Sequence, residues 1–157
     1  MDAIDLKLVE LLRANARLSY AELARQVGLS PPAVHERVGK LEAGGVIRGY
    51  HADVEPEAIG LGVTALIGIV QDSGGDTDDV IEVFRQLPEI ESCYFMAGVE
   101  SFLLRARVGT IAELELLILR LNRTAGVAST RTTVALSTKW ENRPQSATPA
   151  DGRTTAS

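Results

Sequence analysis

The chain has 157 residues, with 16 Lys and Arg against 21 Asp and Glu and a formal net charge of −5. This length allows one ordinary domain or two small ones, and 45% hydrophobic residues are enough to bury a core. The only cysteine, Cys93, excludes an internal disulfide and a four-cysteine zinc site, and it fits a reducing cytosol. The acidic start and the lack of an apolar run of ~20 residues argue against a signal peptide and a membrane helix. We therefore expect a soluble, cytoplasmic protein with no membrane partner.

Charge is divided unevenly along the chain. Residues 1–50 hold seven Lys and Arg against six Asp and Glu, a net charge of +1, so the remainder carries −6. The N-terminal third is therefore the part expected to face an anion. Residues 142–157 contain no aromatic or large aliphatic side chain. Such a segment cannot bury enough apolar surface to offset its chain entropy, which predicts a disordered tail over residues 141–157.

Start and stop signals predict three helices in residues 1–52. An apolar stripe at helical spacing marks the first helix. Ser19 and Glu22 form a capping-box pattern that starts the second helix, and Gly28 ends it. Ser30 caps the third helix, and the next residue is a proline, whose missing N–H costs nothing at the first helical position.

Two helices joined by a short glycine turn, the second flanked by basic residues, are typical of a helix-turn-helix. A short hairpin expected over residues 46–50 would make it a winged one. Arg37 matches a guanine or a phosphate, Ala33 suits a thymine methyl group, and Lys40 would neutralise a phosphate. The alternative is a helical hairpin used only for packing. The expected DNA-binding residues are Ser30, Pro32, Ala33, His35, Glu36, Arg37, Lys40 and Arg48.

After a linker at residues 53–63, the pattern changes to β-α-β-β-α-β over residues 64–140. This order is typical of a ferredoxin-like fold, so the chain as a whole belongs to the α+β class. The expected strands cover residues 64–71, 90–97, 101–108 and 127–138, and the expected helices cover residues 76–87 and 111–121.

The first of these strands is apolar on both faces. Leu66 and Val70 fall on one side, and Ala65, Ile67 and Ile69 on the other. Both helices of a ferredoxin-like unit cover the same face of the sheet, so the second apolar face is left to water. Burying it favours sheet-to-sheet dimerisation. The alternative is a monomer with an exposed apolar sheet.

The glycine-bearing turn between the second and third strands is the candidate small-molecule site. Such a turn directs consecutive N–H groups at a carboxylate, and Glu100 would hold a positive amine. Hydroxyl side chains alternate along the last strand on the association face. A plain hairpin turn with β-prone threonines accounts for the same residues equally well. The expected effector-binding residues are Gly98, Val99, Glu100, Ser101, Thr133 and Ser137.

An enzyme is the rival class. The side chains that an enzyme could use for catalysis are His35, His51, Cys93 and Glu91. Neither histidine has a metal-ligand spacing, and the chain contains no Gly-rich phosphate loop and no nucleophile elbow. We expect no catalytic residue, no metal and no cofactor.

The segment LSYAELARQVGLSPPAVHERVGKLEAGGVIRGY, residues 18–50, resembles the DNA-binding domain of the leucine-responsive/asparagine regulator (Lrp/AsnC) family of transcription factors. The segments ESCYFMAGVESFLLRARV and TRTTVAL are similar to the effector-binding, oligomerising domain of that family. The resemblance implies a regulator that binds double-stranded DNA and senses an amino acid between subunits. It also implies a homodimer that assembles further to a tetramer or octamer. The family's turn carries two aspartates where this chain has Val99 and Ser101, so the resemblance does not fix the identity of the effector. The alternative is an effector-independent, DNA-packaging oligomer.

Overall fold

The structure is a computed structural model that describes residues 1–145. The described residues divide into two compact units, one formed by Met1–Asp53 with residues 140–145, the other by Val54–Lys139. The expected disordered tail falls outside the described residues from residue 146 on, and residues 141–145 form neither helix nor strand. No helix in the described part of the chain has the length and apolar character needed to cross a membrane.

The first unit contains the helices α1 (Ala3–Ala14), α2 (Tyr20–Val27) and α3 (Pro31–Ala43). A side-chain oxygen caps each start, from Asp2, Ser19 and Ser30 respectively, and accepts a backbone N–H three residues further on. The helix α2 ends at Gly28, whose backbone is left-handed at φ 70°. The predicted starts of the second and third helices are therefore confirmed.

The expected hairpin at residues 46–50 is wrong, because these residues form a bend and irregular backbone. The N–H groups of Val46 and Ile47 both donate to the carbonyl of Leu41, at 2.9 and 3.1 Å. Gly45, at φ 70°, turns the chain so that these bonds can close the end of α3. Donors that satisfy a helix end are not available for a strand ladder.

The second unit contains β1 (Val63–Gln71), α4 (Thr77–Arg85), β2 (Ile90–Phe95), β3 (Phe102–Val108), α5 (Ile111–Asn122) and β4 (Val127–Val134). A short 3₁₀ helix at Pro56–Ile59 precedes β1. The strands form an antiparallel sheet in the order β2-β3-β1-β4, which confirms the ferredoxin-like arrangement. The last strand ends at Val134 rather than at residue 138.

The two faces of the sheet differ in burial, as the sequence pattern of β1 predicts. Ala65, Ile67 and Ile69 are fully buried and belong to the same core cluster as residues of α4 and α5, whereas Leu66 on the other face is 42% exposed. Cross-strand pairing places further residues on that second face, which we call the open sheet face. The residues paired with Leu66 and Gly68 on the neighbouring strands lie on it: Leu103, Arg105, Arg131 and Thr133. On β2, Ser92 and Tyr94 continue the same two rows, opposite Arg105 and Leu103.

Candidate functional site

The outer side of α3 is the candidate DNA interface. Val34, Val38 and Leu41 are buried and hold the helix against the rest of its unit. The opposite side of α3 is therefore turned to solvent. Ala33 and Arg37 are only partly exposed. The other expected DNA-binding residues are all exposed: Ser30, Pro32, His35, Glu36, Lys40 and Arg48.

Lys40 and His35 each contact a neighbouring side chain on this surface. Lys40 Nζ lies 2.7 Å from Glu36 Oε1, and this bond holds the pKa of the Glu36 carboxyl below its ordinary range. Such an exposed pair is weak in water, so a phosphate can take the lysine from it. The ring of Tyr20 meets that of His35 edge-on at 4.8 Å between centroids. Tyr20 therefore belongs to the candidate interface, although no sequence signal selected it.

Arg37 is held by two carboxylates. Its Nη1 donates to Asp2 Oδ2 and to Asp5 Oδ1, both at 2.7 Å. The two aspartates also form the capping box of α1, since each accepts the backbone N–H of the other. The side chain that the sequence suggested as a free DNA contact thus ties α3 to the start of α1. Both bonds use Nη1, which leaves Nε and Nη2 as the donors for a phosphate or a guanine.

The contact between Asp2 and Arg37 predicts a pH dependence. The N–H of Asp5 and the Arg37 guanidinium hold the pKa of Asp2 below its ordinary value of 3.8. The folded state therefore binds this proton less readily than the unfolded state, and the contribution is present above pH 3.8 and lost as the pH falls below it. Asparagine keeps the capping oxygen, so we expect the Tm of Asp2→Asn to fall less than that of the wild type as the pH is lowered below 3.8. Thermal melts followed by circular dichroism measure this. The exposed Asp53→Asn control should follow the wild type, and an equal fall in Asp2→Asn contradicts the assignment.

The turn between β2 and β3 is the candidate ligand site. Ser101 fixes it to the sheet, because its N–H donates to the carbonyl of Ile69 at 2.7 Å and its carbonyl accepts the N–H of Met96 at 2.8 Å. Gly98 and Val99 are exposed at the tip. The two expected effector residues near the end of the chain's last strand differ in position. Thr133 lies on the open sheet face through its pairing with Leu66, whereas Ser137 follows the end of β4 and is not part of that face, contrary to the expectation.

Glu100 crosses the open sheet face to an arginine on β4. Its Oε1 lies 3.0 Å from Arg131 Nη1. Gly68 on β1 pairs with Arg131, and a Cβ at Gly68 would lie only 2.7 Å from Glu100 Cγ. The glutamate side chain therefore lies flat over the glycine. Neither Gly68 nor Arg131 was expected at this site.

The cysteine that an enzyme could use is not activated as a nucleophile. Cys93 is exposed on the edge strand β2, because an edge strand is covered from one side only. Partial burial raises the pKa of its thiol, which opposes formation of a thiolate. Within residues 1–145, no three His, Cys, Asp or Glu side chains lie close enough together to hold a metal ion.

Comparisons with known proteins agree with this architecture. Residues 1–42 match the AsnC-type helix-turn-helix domain, and residues 63–145 match the Lrp/AsnC ligand binding domain. The chain is 41% identical to the HTH-type transcriptional regulator LrpA of Mycobacterium tuberculosis, over 91% of this chain and 95% of that protein. It is 34% identical to the regulatory protein AsnC of Escherichia coli K12, over 87% and 90% of the two chains.

A solved structure is equally similar. The feast or famine regulatory protein from M. tuberculosis, complexed with L-methionine, superposes with a TM-score of 0.87 at 40% identity. The match covers 93% of this chain and 99% of that one. Both halves of the chain and their order therefore agree with one family. The chain belongs to the Lrp/AsnC family of DNA-binding transcriptional regulators, and not to a class of enzymes.

Proposed function

We propose that two subunits, paired through their open sheet faces, present their α3 helices to successive turns of the DNA major groove. The observation that carries this is the exposed outer side of α3, held in place by buried Val34, Val38 and Leu41. A helix held this way, after a short glycine turn, fits the groove as recognition helices do. We further propose that an amino acid bound at residues 98–101, between subunits, changes the affinity for DNA.

Pairing of subunits follows from the charge of the DNA-binding unit. Residues 1–50 carry a net charge of only +1, so a single copy gains little from phosphate neutralisation. Two copies on one DNA molecule raise the affinity without any new contact in either half-site. The exposed apolar side chain of Leu66 supports the open sheet face as the surface that joins them.

An amino-acid effector is supported by the methionine complex of the M. tuberculosis relative and by the chemistry of the turn. The turn offers backbone N–H groups for a carboxylate, and Glu100 offers a carboxylate for an amine. An effector changes DNA binding only if it binds two states of the protein with different affinity.

The DNA interface is tested by Arg37→Ala and Lys40→Ala. We expect Arg37→Ala to weaken operator binding by roughly 1–3 kcal/mol, and Lys40→Ala to reduce the salt slope of the affinity by about one. Fluorescence anisotropy over a range of salt concentrations measures both. The matched control is Arg123→Ala, an exposed arginine outside the helix-turn-helix, which should bind as the wild type does. If Arg37→Ala and Lys40→Ala both match this control, α3 is not the DNA-binding surface.

The effector is tested by thermal-shift measurements with each of the twenty amino acids, followed by a DNA mobility assay with any that stabilises the protein. We expect at least one to raise the Tm and to alter the protein–DNA complex. If none does, the protein works without an effector, as a DNA-packaging oligomer would.

A further inference from the structure

An open cleft of about 480 Å³ lies between α3 and the start of α1. Ala33, Arg37 and Lys40 line it from α3, and Asp5 lines it from α1. The three residues of α3 are spaced four and three positions apart, so they follow one another along the same side of the helix. DNA that contacts Ala33 and Lys40 therefore also passes Arg37.

The two cations of this cleft differ in the charge that surrounds them. Lys40 is paired with Glu36, so one positive charge faces one negative charge, and both side chains are mostly exposed. Arg37 is paired with Asp2 and with Asp5, each at 2.7 Å. In this second group, which we call the Arg37 triad, one positive charge faces two negative ones, so its formal net charge is −1.

The triad holds its cation more firmly than Glu36 holds Lys40. The Arg37 side chain is 32% exposed and that of Asp5 is 17% exposed. Asp2 and Asp5 are themselves fixed, because each accepts the backbone N–H of the other. A withdrawal of Arg37 would leave the partly buried Asp5 carboxylate without this counter-ion, which costs more than opening an exposed pair. Arg37 therefore meets DNA from its place in the triad.

An arginine on DNA binds either phosphate oxygens or the O6 and N7 atoms of guanine. A phosphate would bring a further negative charge beside the carboxylates of Asp2 and Asp5, which repel it. Guanine is uncharged and presents its two acceptor atoms side by side in the major groove. Both aspartates bind Nη1 of Arg37, so Nε and Nη2 are the donors that fit these two atoms.

We propose that Asp2 and Asp5 commit Arg37 to reading a guanine and keep it from the phosphates. The two aspartates are positioning residues, because they hold the guanidinium and neutralise the charge that would attract a phosphate. Lys40, whose partner is a single exposed acid, supplies a phosphate contact instead. The DNA site of each α3 therefore contains a guanine whose O6 and N7 face Arg37. This inference rests on the DNA-binding role of α3 proposed above.

The test uses DNA selected by the protein from a random pool, with each guanine replaced in turn by 7-deazaguanine. This base lacks the N7 acceptor and pairs with cytosine as guanine does. Fluorescence anisotropy of the wild type should show a position at which the replacement weakens binding at least about fivefold. Inosine at the same position is the control, since it keeps O6 and N7 and differs from guanine in the minor groove. It should change the affinity far less.

Three variants assign that guanine. Arg37→Ala should bind DNA with guanine and with 7-deazaguanine at this position equally well, and its salt slope should match that of the wild type, because no phosphate contact is lost. Lys40→Ala should keep the preference for guanine and lose about one unit of salt slope. Arg123→Ala is the control and should keep both properties.

Asp5→Asn tests the acids. It makes the triad neutral, as the pair of Lys40 and Glu36 already is. We expect the preference for guanine to fall, and the salt slope for DNA of unrelated sequence to increase by about one, because Arg37 gains a phosphate. A purely structural role would weaken binding to all DNA and would not raise the slope. Asp53→Asn, which removes an exposed acid outside the triad, should keep the preference for guanine.

Asp2→Asn repeats the test with the capping oxygen of α1 kept, and it should change the preference and the slope in the same directions. Circular dichroism confirms that each variant folds.

The outcomes separate this inference from the proposal beneath it. If no 7-deazaguanine weakens binding of the wild type, or if Arg37→Ala still prefers guanine, the assignment is overturned, while a weaker Lys40→Ala still shows that α3 binds DNA. Unchanged preference and slope in Asp5→Asn and Asp2→Asn overturn the role of the acids. If neither Arg37→Ala nor Lys40→Ala weakens binding, α3 is not the DNA-binding surface, and this inference fails with it.

Discussion

The Leu66→Arg variant is expected to run as a single subunit and to bind operator DNA at least about a hundredfold more weakly than the wild type. Leu66 is 42% exposed near the middle of the open sheet face, where it pairs with Arg105 on one side and Thr133 on the other. A second guanidinium beside Arg105 would be buried on association without a partner of its own, which costs several kcal/mol. Analytical ultracentrifugation gives the mass, and fluorescence anisotropy gives the affinity.

The control for this variant is Leu116→Arg. Leu116 is 60% exposed on α5, and α5 packs on the opposite face of the sheet through Leu114, Leu117 and Leu121. The same substitution there should leave the proposed pairing of subunits through the open sheet face intact. A Leu66→Arg protein that still has the mass of a dimer shows that subunits associate through some other surface.

The second large effect is expected from Phe102→Ala, which should lower the free energy of unfolding by about 3–5 kcal/mol. Phe102 is fully buried, and its ring meets Phe84 edge-on at 5.6 Å between centroids and Phe95 at 5.3 Å. Truncation removes the buried apolar area and both ring contacts and leaves a cavity under the helices. Since a typical domain is stable by only about 5–15 kcal/mol, this loss is a large fraction of the total. Urea denaturation followed by circular dichroism measures it.

Phe95→Ala is the matched control, because Phe95 pairs with Phe102 across β2 and β3 but is 70% exposed. It should cost less than about 1.5 kcal/mol, since most of its surface is already in water. An equal loss in the two variants would show that the core of this unit is not centred on Phe102.

Local signals accounted for most of the secondary structure. The oxygens of Ser19, Ser30 and Thr110 cap three helices where the pattern of polar and apolar residues expects a start. The alternation of Ala65 and Leu66 identifies the covered and the open face of the sheet. Each of these features depends on residues within a few positions of one another. Helix caps and the alternation of buried and exposed residues in strands can therefore be recognised in a single sequence.

The contacts that shape both candidate sites could not be predicted in this way. Asp2 and Asp5 contact Arg37, which is more than thirty residues away in sequence, and Glu100 and Arg131 are separated by a similar number of residues. Sequence patterns showed the types of these side chains and not their partners. The prediction of a hairpin at residues 46–50 was wrong for a different reason. These residues have a local preference for β structure, but their N–H groups instead form the hydrogen bonds that close the end of α3.

The most direct test of the paired-subunit account is a hydroxyl-radical footprint on DNA selected by the protein from a random pool. If two paired subunits bind the DNA, we expect two protected segments with inverted symmetry, their centres about 10–10.5 base pairs or a multiple of that apart. We also expect Leu66→Arg to protect neither segment at the same concentration. A single protected segment, bound equally by the wild type and by Leu66→Arg, would contradict the proposed pairing.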